Sequence, residues 1–415
     1  MATGKRPNFL FVLTDQQRFD SIGAAGNPFA HTPVQDSLAR DGVYFTHCYA
    51  AQAVCSPSRA SIFSGLFPTA HRVVDNIYDI DDVTSSDQFN MRVVWPGLLK
   101  EAGYRTGYIG KWHLGDKGPA CYDEWYGFNS LLPHWLGEPQ KSTYRVEMEA
   151  DQAIDFLERN RTRPFALCLS HYPPHTPYTS PNRFAALYEH LPLRLKYYYG
   201  AVSAIDWHLG RVLNRLRELD LADNTVVIFT SDHGDHFGQR PGGSNKRGAY
   251  DECARVPLIF RAPRLIPGGQ VRAELTSNVD LMPTILEMAG VQVPDERHGM
   301  SLVPLLMGKK PSWRSAVFIQ NRESVGGKEP GSVESRAVRT SEWKLLMRDG
   351  LSDAARSLWE LYDHRSDPLE LESVFGPGNS EAVRELLVEL NYWARQIKDR
   401  KAIRLSAACA RELGI

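Results

Sequence analysis

The chain has 415 residues, 42% hydrophobic and 23% charged, enough to bury a large core and to form one big domain with a smaller one beside it. Its 48 basic and 49 acidic residues create no overall field for nucleic acid or a membrane surface, so any anion binding must be local. Six scattered cysteines (Cys48, Cys55, Cys121, Cys168, Cys253, Cys409) with no Cys-x-x-Cys pair exclude a disulfide framework, and without an apolar leader the default compartment is a reducing cytoplasm.

The first element is a continuous apolar run, Asn8 to Thr14, which predicts a buried parallel strand ending in Asp15, Gln16 and Gln17. Thr32 to Asp41, with Pro33 near its start and Gly42 behind it, predicts a helix. A second helix is expected between Pro57 and Gly65, with Cys55 at its amino end. There, unpaired N–H groups and the positive end of the helix dipole favour an anion, and Arg59 adds a fixed positive fork one turn on. Asp79, Asp81 and Asp82 follow; they read as a solvated acidic loop before they read as a contact for a hydroxyl-rich leaving group.

Helices over Trp95 to Ala102, Met148 to Arg159 and Arg194 to Leu219 alternate with apolar runs at Tyr104 to Ile109, Phe165 to Leu169, Thr225 to Thr230 and Val256 to Phe260. The run at Tyr104 leads to Lys111 and His113, that at Phe165 to His171 and His175, and that at Thr225 to Asp232 and His233. With the Asp15 strand, four strand ends deliver polar residues where open α/β sheets bind ligands. Lys246 lies in a Gly-rich loop, Gly242 to Arg247, that reads as ordinary surface by itself. A covering helix is expected at Asp280 to Ala289. Composition shifts at Ser324 to Ser335, so domains are expected at 1–332 and 333–415, the second with short antiparallel strands at Arg336 to Thr340, Trp343 to Met347 and Ser357 to Tyr362 and a helix at Glu381 to Lys398.

Asp15 and Asp232, with Gln16 and His233, offer two carboxylates, an amide oxygen and an imidazole to one divalent cation; each Asp alone is as readily a helix cap or turn residue. Lys111 and His113, two apart on an extended segment, are expected to face the same side and bracket an oxyanion. A lone buried cysteine is usually inert, and a cysteine phosphatase needs more residues between thiol and arginine.

The spacing Cys55-x-Pro57-x-Arg59-Ala60-Ser61-x-x-x-Gly65 resembles the signature of the type I sulfatases, members of the alkaline phosphatase superfamily. The resemblance extends through Gly110-Lys111-Trp112-His113, Pro174-His175-Thr176-Pro177 and Ser231-Asp232-His233-Gly234 to Leu358-Trp359-Glu360-Leu361-Tyr362-Asp363. It implies an alkaline-phosphatase-like α/β/α layered mixed sheet with a small C-terminal α+β domain. It further implies that a maturation enzyme converts Cys55 to formylglycine, whose hydrated aldehyde is the nucleophile in hydrolysis of a small or saccharide-borne sulfate ester. Asp15, Gln16, Asp232 and His233 match the metal set, with calcium favoured over manganese or zinc. Arg59, Lys111, His113, His175 and Lys246 match the charged pocket, with His175 as leaving-group acid and His113 as the base that releases sulfate. Gln16 stands where many sulfatases have a second aspartate, a feature of choline-sulfatase-like and phosphonate monoester hydrolase branches. A phosphonate or phosphodiester hydrolase is therefore the alternative enzyme, and an inactive metal-stabilised anion-binding protein the alternative of another class.

Overall fold

The computed structural model describes residues 5–77, 93–115, 118–137, 142–240, 245–323, 333–349 and 359–415. Asp79, Asp81, Asp82, Gly242 to Ser244 and most of the Ser324 to Ser335 connection lie outside these residues.

Strand β1 (Asn8–Asp15) is the centre of the large sheet. It is followed by α1 (Pro33–Asp41), β2 (Val43–Tyr49), α2 (Cys55–Ser64), α3 (Trp95–Glu101), β3 (Arg105–Lys111), β4 (Glu124–Phe128), α4 (Arg145–Asn160), β5 (Phe165–Pro174), α5 (Leu193–Glu218), β6 (Thr225–Ser231), β7 (Arg255–Arg261), β8 (Gln270–Arg272) and α6 (Leu281–Ala289). These strands lie in the order β8-β2-β7-β6-β1-β5-β3-β4. β1 pairs in parallel with β5 and β6, whereas β7 runs antiparallel to both β6 and β2, so the sheet is mixed.

Alternation along β1 builds a core on each face. Phe9, Phe11 and Leu13 pack with Ile62 and Phe63 of α2, Trp95 of α3 and Leu281 and Ile285 of α6. Leu10 and Val12 pack on the other side with Phe156 and Leu157 of α4 and Ile205, Leu209 and Val212 of α5. The result is the α/β/α layering expected from continuous apolar strands covered on both faces.

The second sheet is antiparallel, with strands β9 (Val317–Glu323), β10 (Val333–Arg339), β11 (Trp343–Arg348) and β12 (Trp359–Asp363) in sequential order. β9 pairs with β10 from Val317↔Arg339 to Glu323↔Val333, so a division at residue 332 would cut this pair. The polar stretch Gln320 to Arg322 obscures β9 in the sequence. One face of the sheet packs Val338, Leu345 and Met347 against Val383, Leu386 and Leu390 of α7 (Ser380–Gln396), beside α8 (Arg400–Leu413). The other face packs Val317, Ile319 and Leu346 against Tyr49 and Tyr250 of the large unit. Buried Lys344 of β11 ties the two units together through Asp251 at 2.6 Å and Glu370 at 2.5 Å. Among the described residues no helix is long and apolar enough to cross a membrane.

Candidate active site

Helix α2 is buried along its whole length and starts at Cys55, two residues before Pro57. Proline is tolerated in this first turn because its missing N–H would have no intrahelical partner. At the other end Gly65 has φ 67° and its N–H returns to the Ser61 carbonyl. A side chain there would meet a left-handed backbone and press on Met282 at 3.3 Å, so glycine fixes where the helix stops. The first turn is held in place by Asn76, whose Oδ1 accepts from Ser56 N–H at 3.1 Å, and by Ser56 Oγ, which donates to the His113 carbonyl at 2.6 Å.

The thiol of Cys55 is fully buried. Lys246 Nζ lies 3.0 Å from Sγ, His233 Nε2 3.2 Å, Asp15 Oδ1 3.5 Å and Lys111 Nζ 3.7 Å. Burial and Asp15 oppose ionisation of the thiol, but Lys111, Lys246 and His233 outweigh them and hold its pKa below the ordinary value. An anion is thus favoured at the amino end of α2.

Strand ends β1 and β6 bring Asp15 and Asp232 together. Asp232 N–H donates to the Thr14 carbonyl at 3.1 Å, and Gln16 N–H donates to Asp232 Oδ1 at 3.1 Å. Arg59 spans the two carboxylates, with Nη2 3.1 Å from Asp15 and Nε 2.9 Å from Asp232. Its Nη1 donates to the Lys111 carbonyl at 2.6 Å and to Ser170 Oγ at 2.9 Å. Burial disfavours the charge on Arg59, yet the two aspartates overcome it and raise its pKa. The guanidinium is thus committed to the carboxylates, and its contacts are with them and the strand ends.

Lys111 Nζ binds Asp15 Oδ2 at 2.6 Å and lies 4.2 Å from the centre of the Tyr172 ring. Burial pushes the Asp15 pKa up, but Lys111, His175, Arg59 and Lys246 bring it well below the usual carboxylate range. The expected strand alternation of Lys111 and His113 does not hold, because β3 ends at Lys111 and His113 has φ 58°. His113 is nevertheless buried among the same cations; burial first, then Lys111, holds it neutral, well below the usual imidazole value.

His175 follows β5. Its Nδ1 donates to the Thr176 carbonyl at 2.6 Å, which leaves Nε2 to accept from Lys246 Nζ at 3.0 Å. Burial, then Lys246 and Lys111, keeps this imidazole neutral as well. His233 behaves oppositely: burial pushes its pKa down, but Asp232 and Cys55 carry it up to about 10.

Asp15, Cys55, Asp232 and His233 each place a ligand atom within 4.8 Å of the others. Gln16 supplies a further test of whether a cation fits. Its Nε2 donates to Asp235 Oδ2 at 2.6 Å, and its buried Oε1 takes no hydrogen bond among the described residues. A buried amide oxygen left over beside two carboxylates and an imidazole fits a divalent cation. Asp235 was not singled out from sequence; it also accepts from Tyr178 Oη at 2.6 Å and Phe237 N–H at 2.7 Å, so every described donor around it fixes the Gln16 amide one way round. Asn76, Ser170 and Tyr172 were missed too, since nothing in their local sequence signals the contact. His171, the other histidine of β5, pairs with Glu149 at 2.6 Å.

A mixed α/β/α sheet whose strand ends and one loop gather two aspartates, two lysines and three histidines around the Cys55 thiol at a helix amino end fits a hydrolase of the alkaline-phosphatase-like fold. The chain belongs to the sulfatase family, matching it over residues 7–291, and is a sulfuric ester hydrolase. Residues 242–396 also match the C-terminal family of N-sulphoglucosamine sulphohydrolase. An N-acetylglucosamine-6-O-sulfatase of Bacteroides thetaiotaomicron is 29% identical, covering 95% of this chain and 87% of its own. The solved structure of a protein in complex with its substrate D-glucosamine-2-N,6-O-disulfate is 26% identical, with a TM-score of 0.78 over 95% of this chain and 99% of that one. The fold is shared equally by a phosphonate monoester hydrolase from Silicibacter pomeroyi, 22% identical with a TM-score of 0.78 over 95% and 96% of the two chains.

Proposed function

We propose that this chain hydrolyses a sulfate ester carried on a saccharide, using a formylglycine formed from Cys55 and a divalent cation held by Asp15, Gln16, Asp232 and His233. The observation that carries this reading is the position of Cys55 Sγ, 3.0 Å from Lys246 and 3.2 Å from His233 at the amino end of α2. The sugar is suggested by the N-acetylglucosamine-6-O-sulfatase and by the disulfate-bound protein, both similar along nearly the whole chain.

When present, the cation and the aldehyde hydrate would supply Lewis acidity at the sulfuryl oxygens and an oxygen nucleophile in place of the thiol. The oxygen-rich donor set favours calcium, with manganese or zinc as the alternatives. Lys111 and Lys246 offset the negative charge of the sulfuryl group from two sides. Arg59 acts one step back, holding Asp15 and Asp232 in fixed orientation. Lys246 and His175 share a hydrogen bond, so together they hold one transferable proton for the departing alcohol. Neutral His113 is placed to take up a proton when the site is reset. The maturation enzyme that oxidises Cys55 is the one protein partner this reading requires.

The test is hydrolysis of N-acetylglucosamine 6-sulfate against a phenyl phosphonate monoester by chain produced with a maturation enzyme. A higher kcat/KM for the sulfate supports the reading; a preference for the phosphonate assigns the chain to the alternative chemistry.

A further inference from the structure

One cation pair stands outside the cluster just described and at its rim. Arg247 follows Lys246 directly, and its N–H donates to the Ala53 carbonyl at 3.2 Å, two residues before Cys55. Its Nη2 binds Asp75 Oδ1 at 2.5 Å, and Asp75 precedes Asn76, the residue that receives the Ser56 N–H. Arg322, from the small sheet, reaches the other oxygen of Asp75 at 4.0 Å. Two guanidiniums therefore share one carboxylate, leaving an excess positive charge among the described residues here.

The two arginines are also incompletely satisfied. Among the described residues, Arg247 Nη1 and Arg322 Nε are shielded from solvent and donate no hydrogen bond, and the Arg247 side chain is only 5% exposed. Buried cationic donors without an acceptor are costly, so an anion reaching this point from solvent would find donors ready to satisfy it. The side chains of Arg322 and Asp75 are 33% and 28% exposed, so the cluster opens to solvent.

We propose that Arg247 and Arg322 form a subsite for a second anionic group on the same saccharide, an N-sulfate or a carboxylate. This rests on the saccharide sulfatase reading and deepens it. The chemistry is that of a guanidinium fork with an acceptor-only anion, which takes several N–H donors at once. Asp75 keeps the two forks apart and oriented while the subsite is empty, and it competes with the incoming anion. The scissile sulfate enters beside Cys55 and Lys246, while the second group meets Arg247, one residue further along the same loop.

Calorimetry on the unmatured chain, with Cys55 intact and calcium present, measures this without turnover. The probes are glucosamine-2-N,6-O-disulfate, a uronic-acid-linked N-acetylglucosamine 6-sulfate disaccharide, and N-acetylglucosamine 6-sulfate. The parent should bind one of the first two at least tenfold more tightly than the third, and which one identifies the second anion. Arg322→Ala should reduce that ratio to near one. Arg322→Lys should keep part of it, and Asp75→Asn should increase it, since the competing carboxylate is gone; a purely structural bridge would lose thermal stability in Asp75→Asn without moving the ratio. Equal binding of all three sugars by the parent, or an unchanged ratio in Arg322→Ala, overturns the subsite. A matured chain that turns over none of the sulfates, with the binding ratio intact, would remove the sulfatase reading and leave the subsite standing.

Discussion

Arg59 bridges Asp15 and Asp232, with its Nη2 and Nε 3.1 Å and 2.9 Å from the two carboxylates, and all three side chains are fully buried. The bridge needs a planar fork, because the two carboxylates approach from different sides while Nη1 reaches the end of β3 through the Lys111 carbonyl. Arg59→Lys keeps the charge but lacks the fork. We expect it to weaken cation binding and to lower kcat/KM by about 10–100-fold, as loss of a contact supporting the proposed metal ligands would. Arg59→Ala leaves two buried carboxylates without their partner and should lower unfolding stability by about 3–5 kcal/mol. Calcium titration and urea unfolding separate the two effects; a lysine variant with parental calcium affinity would refute the positioning role.

Asp235 should govern cation affinity through Gln16. Asp235→Asn presents an amide to the Gln16 amide, and the Gln16 side chain can then turn its nitrogen towards the cation site. Chelator competition should show calcium bound about 10–100-fold more weakly. In a Gln16→Glu background the sign should reverse, because Asp235 would then face a second carboxylate and its neutralisation relieves that repulsion. Equal affinities in parent and Asp235→Asn would exclude the orienting role.

The leaving-group assignment rests on the hydrogen bond from Lys246 to His175 Nε2. His175→Ala should reduce hydrolysis of a sugar sulfate by about 10²–10⁴-fold, and of nitrophenyl sulfate by far less, since that leaving group hardly needs a proton. Equal losses on both would make His175 a binding residue.

His71 sets part of the acid limit of the fold. Val73 N–H donates to its Nδ1 at 3.1 Å and Nε2 lies 3.0 Å from Ser61 Oγ, so the buried ring is neutral. Burial holds its pKa down to about 3, against 6.5 for the free side chain. Its folded value is depressed, so its contribution to stability is complete above pH 6.5 and is lost as pH falls towards 3. His71→Gln should cost about 1–2 kcal/mol at neutral pH through weaker hydrogen bonding, but should lose stability less steeply between pH 6.5 and 4. Parallel urea-stability curves for parent and variant would contradict this.

The sequence made the large sheet legible where strands are buried on both faces, since β1, β5 and β6 are continuous apolar runs. It hid β2, whose Thr46 and His47 interrupt the run and where the pairing with β7 shifts between Phe45 and Cys48. It hid α8 as well, because that helix buries mainly small residues, Ala402, Ser406 and Cys409, besides Leu405. Asp15, Cys55, Lys111, His175, Asp232 and His233 were visible because strand ends and a spaced motif name them, whereas Lys246, in a loop that reads as ordinary surface, was named only by the resemblance. Asp235 depends on Tyr178, and Arg247 on Asp75 and Arg322, contacts between distant segments that no local pattern records.

Hydrolysis by the proposed route depends on what residue 55 becomes. Tryptic digestion of active chain yields the peptide Asp41 to Arg59, and fragmentation distinguishes Cys55 from Cys48 within it. Residue 55 should carry an aldehyde, with oxygen in place of sulfur and two hydrogens fewer than cysteine, in proportion to activity across preparations of differing maturation. Full sulfatase activity in chain whose residue 55 is entirely unmodified cysteine would contradict it.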